Sequence, residues 1–350
     1  MRVCIVGGGG YLGCELAARL QSHGAHTVIL DVSFSGHPAI QLDEKLTTRI
    51  QGSVLDEAKL REALNACESC FHLAAYGMSG LQAFNRDLIN RINVDGTALL
   101  MDCCKRVGVP RFIYASSVGV IFTGKELINA TEDYPYPDES EYFSAYCSSK
   151  ARAERLVLAA NCDELRTVAL RLRGIYGPGE PRSTDRAVYS GVHNVTHAMC
   201  QADKELARPF PRCAGKVYHI VDANPVDSFL FWMPLITALS QTPPSIRLPF
   251  SLIYFVAYIA ECLAVWFGIP PVMNRLEVNL VGITNTYSIE RAIKDFDYKP
   301  TKNHDLTEIV DYYTKYYKDR PGTKLDVRRT LKILIASAML LFVVIRCYFS

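Results

Sequence analysis

Tyr146-Cys147-Ser148-Ser149-Lys150 sets a phenol and an ammonium four residues apart, on one face of a helix that continues through Ala153 and Leu156. A phenol, with a pKa near 10, is a poor base at neutral pH, but a neighbouring ammonium favours the phenolate. Bringing it to about 7 takes roughly 4 kcal/mol of differential stabilisation, which a dry site can supply. A Tyr–Lys pair also arises by chance on many helices, and its weight here comes from its company. Tyr114-Ala115-Ser116-Ser117 closes a strand earlier in the chain, and its hydroxyls are of the kind that hold a substrate oxygen. The chemistry such a set can perform is proton transfer at an alcohol or carbonyl oxygen.

The second chemical signal lies near the start. Gly7-Gly8-Gly9-Gly10-Tyr11-Leu12-Gly13 follows a strand and opens a helix, the context in which a glycine motif binds a dinucleotide. Gly7 allows the tight turn, Gly10 lets backbone approach a pyrophosphate, and Gly13 packs the helix on the strand. The free N–H groups of the helix start, at Tyr11 and Leu12, then face the phosphates. Asp31 ends the second strand, where a carboxylate accepts a ribose hydroxyl and repels a 2′-phosphate. Val32-Ser33-Phe34 follow without a cation, so the sequence favours NAD over NADP.

With Gly7/Gly10/Gly13, Asp31, Ser117 and Tyr146/Lys150 in this order, the chain resembles the extended short-chain dehydrogenase/reductase superfamily. His72-Leu73-Ala74-Ala75 is similar to its strand-end segment beside the cofactor, and Ile92-Asn93-Val94-Asp95-Gly96-Thr97 to its helix segment with a relay Asn. Arg171 through Glu180, with its Ile-Tyr-Gly-Pro-Gly-Glu run, most resembles the 3β-hydroxysteroid dehydrogenase/isomerase family, in which sterol 4-carboxylate 3-dehydrogenases are grouped. The resemblance implies Tyr146 as acid/base, Lys150 as its partner and ribose ligand, Ser117 rather than Ser116 as the substrate-orienting hydroxyl, Asn93 in a proton relay, and Ala74 beside the cofactor. It implies an NAD-dependent oxidation of a 3β-hydroxyl, or similar secondary alcohol, on a steroid- or sterol-like molecule. Two places differ from the family pattern. Ser53 stands where an acidic residue is usual, and the stretch from Gly179 to Val192 is much shorter.

These residues need a scaffold, and the strand–helix alternation supplies one. Val3–Val6, Thr27–Leu30, Cys70–Leu73, Phe112–Ala115 and Val168–Leu172 read as strands. Leu12, Leu16 and Leu20, and again Leu60 and Leu64, recur at helical spacing between them. The pattern predicts an α/β, Rossmann-type doubly wound parallel sheet. We expect a dinucleotide-binding domain over 1–175, a substrate lobe over 176–322 packed against it, and a linker with a membrane anchor over 323–350. The anchor is the run 331–345, apolar on all faces behind Arg328, Arg329 and Lys332. The apolar segment 249–270, interrupted only by Glu261, is open to three roles: a cap on the pocket, a dip into the bilayer, or a core helix.

Composition narrows the rest. A formal charge of +2 without a basic stripe argues against nucleic acid as a partner. Twelve cysteines follow no framework: Cys67 and Cys70 lack a second pair for zinc, and Cys70, Cys103 and Cys104 read as core. Dispersed thiols suit a reducing compartment. The chain opens on a strand with no signal-peptide pattern, and the sequons at Asn129 and Asn194 read as chance matches. The expected setting is an endoplasmic reticulum membrane with the catalytic domain facing the cytosol, and a homodimer is compatible with it. Two other functions compete: a nucleotide-sugar epimerase or dehydratase, and a non-catalytic NAD-binding membrane protein with an incomplete pocket.

Overall fold

The computed structural model describes residues 1–180, 190–243 and 247–319. The expected anchor at 331–345 and the middle of the shortened stretch, 181–189, lie outside the described residues. In chain order the elements are β1 (Arg2–Val6), α1 (Tyr11–Gln21), β2 (His26–Asp31), β3 (Thr47–Gln51), α2 (Glu57–Leu64), β4 (Ser69–His72), α3 (Arg86–Asn90) and α4 (Gly96–Val107). There follow β5 (Arg111–Ser117), β6 (Leu127–Ala130), α5 (Ala145–Ala159), β7 (Arg166–Leu172), β8 (Ile175–Tyr176), β9 (Ser190–Gly191), α6 (Val192–Leu206) and β10 (Lys216–Ile220). The last third holds α7 (Ser228–Ala238), α8 (Phe250–Phe267), α9 (Arg275–Gly282), β11 (Asn285–Tyr287), α10 (Glu290–Phe296) and α11 (Thr307–Lys318).

Seven strands form one parallel sheet in the order β10-β7-β5-β4-β1-β2-β3, the doubly wound arrangement the alternation predicts. Its inner strands bury residues on both faces because both are covered. In β1, Val3 and Ile5 join a core with α1 and α6, while Cys4 and Val6 join one with α2, α4 and α5. Strand order reverses between β1 and β4, so the crevice beyond their carboxyl ends is where a dinucleotide crosses this kind of sheet. Two small parallel pairs, β6 with β11 and β8 with β9, stand outside it.

Two strands carried no clear signal in the sequence. Thr47–Gln51 is the outer edge strand and buries only Ile50, so it shows no apolar run. Lys216–Ile220 is the opposite edge, paired with β7. With α6 packed in the sheet's core, this second edge extends the dinucleotide-binding layers to residue 220, past the boundary expected at 175. Cys70, Cys103 and Cys104 are buried core thiols, as read. Segment 249–270 does form a helix, α8, but not a core helix: only Ala257 and Ala264 are buried along its 18 residues.

Candidate active site

The glycine loop between β1 and α1 is defined by what would collide with a side chain. Gly7 has φ +79°, and a Cβ there would lie 2.3 Å from the amide nitrogen of Ala74. The loop is thus pressed against the 73–74 segment, whose amides both donate to the Val6 carbonyl. A Cβ on Gly13 would lie 2.3 Å from the Gly8 Cα, so this glycine lets α1 close on the loop itself rather than on the strand. Gly10 differs: a Cβ there meets nothing within 4 Å. It is the N-cap of α1 and no side chain caps the helix, so the first amides, from Tyr11 and Leu12, face open space. Backbone N–H groups and the positive helix end there are of the kind that would fit a pyrophosphate.

Asp31, at the end of β2, flanks this loop. Its carboxylate accepts the Gly9 amide at 2.9 Å and the Ser33 amide at 3.2 Å, which holds it beside the loop where a ribose would lie. Tyr11 stacks on His37 at 4.6 Å between ring centroids, and Leu12 packs against the core beneath. Ser53 only receives the Leu55 amide in a local turn.

On α5, Tyr146 and Lys150 stand one turn apart and both are buried, Lys150 to 2% exposure. The Lys150 ammonium donates to the Ala115 carbonyl at 2.5 Å and lies 4.1 Å from the centre of the Tyr114 ring. Burial pulls its pKa down to about 7, against the pull of Glu154, which raises it. His72 beneath is kept neutral, its pKa pushed to about 3 by burial and by the Lys150 charge. The two candidate serines part company. Ser116 is buried and donates to Glu154 at 2.5 Å, whereas Ser117 is half-buried and accepts the Gly119 amide at 3.1 Å. A Cβ on Gly119 would meet both Ser117 Oγ and Cys147 Sγ, so the 117–119 turn lies close to the first turn of α5.

Asn93 sits in a single π-turn, Arg91–Asp95, a feature frequent at functional sites. Its side chain receives the Tyr76 amide at 2.8 Å and donates to the Tyr76 carbonyl and to Ser149 Oγ, both at 2.9 Å. It joins the 76 loop to α5 at Ser149, next to Lys150. Sequence reasoning missed the deeper group: Glu154, fully buried, accepts Ser116, Tyr136 and the guanidinium of Arg171. The available signal was its spacing, one further turn along the Tyr146–Lys150 face.

Beyond the carboxyl ends of β7 and β10 lies a cavity of about 600 Å³. Its wall mixes Arg173, Asn129, Asp222 and Asn285 with Leu280 and Ile283. Arg173 donates to the carbonyl of Asn285 at 3.1 Å. The shortened stretch is described only at its ends: the Glu180 carbonyl accepts Tyr313 at 2.9 Å, and Ser190 donates to the Gly174 carbonyl.

The sequence pattern of the 3-beta hydroxysteroid dehydrogenase/isomerase family matches residues 4–190. A 3beta-hydroxysteroid dehydrogenase/Delta(5)-Delta(4) isomerase 1 of Caenorhabditis elegans is 32% identical over 98% of this chain and 86% of its own. The chain belongs to this family. The short-chain dehydrogenase/reductase family 42E member 1 proteins of Danio rerio and Homo sapiens are 33% and 34% identical, covering 98% and 93% of this chain and 96% and 90% of theirs. The aligned spans of 401 and 376 residues for the worm and zebrafish proteins exceed the 350 residues here, so both relatives carry segments this family member lacks. Among solved structures, a UDP-glucose 4-epimerase of Thermotoga maritima has a TM-score of 0.68 at 16% identity, covering 91% of this chain and 99% of its own. One of Thermus thermophilus, in complex with NAD, has a TM-score of 0.67 at 18% identity, covering 89% and 99%. These two likenesses show the shared fold. For this family member, an oxidoreductase or epimerase type of enzyme, the cofactor is NAD, which the open Gly10 face, the uncapped α1 and Asp31 fit.

The glycines separate packing from binding. Gly10→Ala is expected to keep the melting temperature within the effect of about 1 kcal/mol while weakening NAD at least tenfold, because its methyl enters only cofactor space. Gly13→Ala should lower stability by about 1–3 kcal/mol through overpacking against Gly8. Calorimetry and NAD titration of both variants check this; equal loss of stability in the two would show that Gly10 does not face the cofactor. For Asp31, NAD is expected to bind more tightly than NADP, and Asp31→Ala to narrow the gap. Equal affinities in the unmodified protein would remove Asp31 from the ribose.

Proposed function

We propose that the chain oxidises a 3β-hydroxyl, or a similar secondary alcohol, on a steroid- or sterol-like substrate, using NAD. The observation that carries this reading is the buried Tyr146–Lys150 pair, one turn apart on α5, with the Lys150 ammonium on the Ala115 carbonyl near the end of β5. NAD, when bound, accepts the hydride from the carbinol carbon. Tyr146 takes the hydroxyl proton as the C–O bond becomes a carbonyl, and Ser117 holds the reacting oxygen. Lys150 supplies the positive charge that favours the Tyr146 phenolate and a hydrogen bond to the ribose. Asn93 keeps α5 and the 73–76 loop in register.

The apolar character of the substrate is supported by α8. Leu252, Phe255, Trp266 and Phe267 are between 48% and 75% exposed, and the stripe continues into Ile269 and Val272. On the opposite side Arg275, at the start of α9, meets Glu261 at 2.7 Å, and Phe250 packs on Gly282. With one side tied to the protein body and the other apolar and exposed, the arrangement proposed for α8 is in the membrane plane with its free stripe in the lipid. Gly282 lines the cavity, which places its wall beside the side of α8 that is tied to the protein. Buried free thiols suit the cytosolic side of the membrane, the endoplasmic reticulum being the expected one.

One observation favours a second reading. The polar part of the cavity wall, with Arg173, Asn129 and Asn285, would also suit a hydroxyl-rich nucleotide-sugar, and so an epimerase or dehydratase. Incubation with NAD and either 3β-hydroxysterols or UDP-sugars separates the two. The expected result is NADH and a 3-ketosterol, lost in Tyr146→Phe at least a thousandfold with NAD affinity within a few-fold. Turnover of UDP-sugars alone, or near-normal turnover by Tyr146→Phe, would refute the reading.

The orientation of α8 has its own measurement. Trp266 as the sole tryptophan, in Trp232→Phe, and Phe255→Trp with both native tryptophans replaced by Phe, in the full chain on vesicles with brominated acyl chains, are expected to quench at one shallow depth. A spanning helix would separate them by about 16 Å. A difference of that size, or no quenching at either site, would reject the in-plane arrangement.

A further inference from the structure

Tyr146, Lys150 and Glu154 succeed one another at four-residue spacing along one face of α5. Glu154 is 0% exposed and has no role in the chemistry described so far. Its carboxylate is held at both oxygens: Tyr136 donates to Oε1 at 2.5 Å, Ser116 to Oε2 at 2.5 Å, and Arg171 reaches Oε1 at 2.8 Å through Nη2 and at 3.1 Å through Nε. A carboxylate so fixed keeps its position whatever occupies the cofactor crevice.

We propose that Glu154 is a positioning residue for the reaction, a fixed negative charge one turn behind Lys150 that sustains its ammonium where it sits on the Ala115 carbonyl. The inference rests on the reading of Tyr146 and Lys150 given above. Several groups face Lys150. Its own helix contributes Glu154, β5 contributes the Tyr114 ring and the Ala115 carbonyl, and β4 contributes neutral His72. Arg171, from β7, faces Glu154. Among these, Glu154 is the group whose charge raises the lysine's pKa, while burial lowers it to about 7. Burial and Glu154 therefore act on Lys150 in opposite directions, and without Glu154 the effect of burial is unopposed. If the ammonium is lost, the phenolate of Tyr146 loses its neighbouring positive charge and forms only at higher pH.

The test uses the full chain, with Lys150 followed by NMR of 13Cε-labelled lysine and assigned by its absence in Lys150→Met. In Glu154→Gln the Lys150 midpoint is expected to fall by at least one pH unit. The acidic limb of kcat/KM for 3β-hydroxysterol oxidation should then move up, lowering kcat/KM about tenfold per unit at pH 7 and recovering in more alkaline buffer. Because Glu154→Gln leaves Arg171 without its partner, Glu154→Met with Arg171→Met provides a second form in which neither charge is stranded. That form should show the same downward move of Lys150, and Glu154→Asp should restore part of it. An unchanged Lys150 midpoint in both forms, or activity lowered by one factor at every pH, would overturn the proposal. The NMR readout is independent of turnover. If Tyr146→Phe remained active while the midpoint still moved, the assignment of Tyr146 would fall and the action of Glu154 on Lys150 would stand.

Discussion

Arg171 lies within a sheet strand at 1% exposure, and a guanidinium there is tolerated because Glu154 meets it at 2.8 Å. Removing either partner of so buried a pair leaves an uncompensated charge, at a cost of about 3–5 kcal/mol. The pair therefore fixes both the depth and the rotation of α5 against β5 and β7. Upward from Glu154, the helix delivers Lys150 and then Tyr146 to the strand ends. Sideways, it takes the hydroxyl of Ser116 and leaves Ser117, on the other side of the pleat, outside its grip. The ion pair thus occupies Ser116 and leaves the Ser117 hydroxyl free of Glu154.

A second constraint acts at the other side of the crevice and uses backbone instead of charge. Gly7 and Gly13 allow loop, helix and the 73–74 segment to approach within distances no side chain permits, and the only glycine facing open space is Gly10 among those at positions 7–10 and 13. Asp31 then ties the loop amide of Gly9 to the end of β2. The dinucleotide seat and its ribose end are thus one hydrogen-bonded unit, and the sheet's switch point between β1 and β4 sets it opposite α5.

Much of this was legible in the residues. The glycine spacing, the Tyr–Lys interval and the strand–helix alternation each depend on local geometry, so the sequence carries them directly. What depends on distant partners was less visible. Edge strand β3 is half solvated and shows no apolar run, and β10 contains Lys216 and His219, which disguise a buried strand. Glu154 and Arg171 read as ordinary charged residues until the fold brings them together. The role of 249–270 could not be chosen from composition, because exposure depends on whether other elements cover it. Asn93 was recognised through family likeness, yet its bonds to Tyr76 and Ser149 lie across segments that share no sequence pattern.

The late arrival of β10 has a consequence for how the molecule is made. Until α6 and residues 216–220 leave the ribosome, one face of the sheet lacks the cover of Val195, Met199 and Leu206, and β7 presents an unpaired edge. The segment that contains every candidate catalytic residue is therefore not a self-sufficient folding unit. Nascent chains paused between residues 175 and 216 would expose apolar surface and a free strand, the features that recruit chaperones or seed association. The distant pairing of β10 also adds loop-closure cost and slows the final step of folding. Translation speed through this interval becomes a determinant of yield.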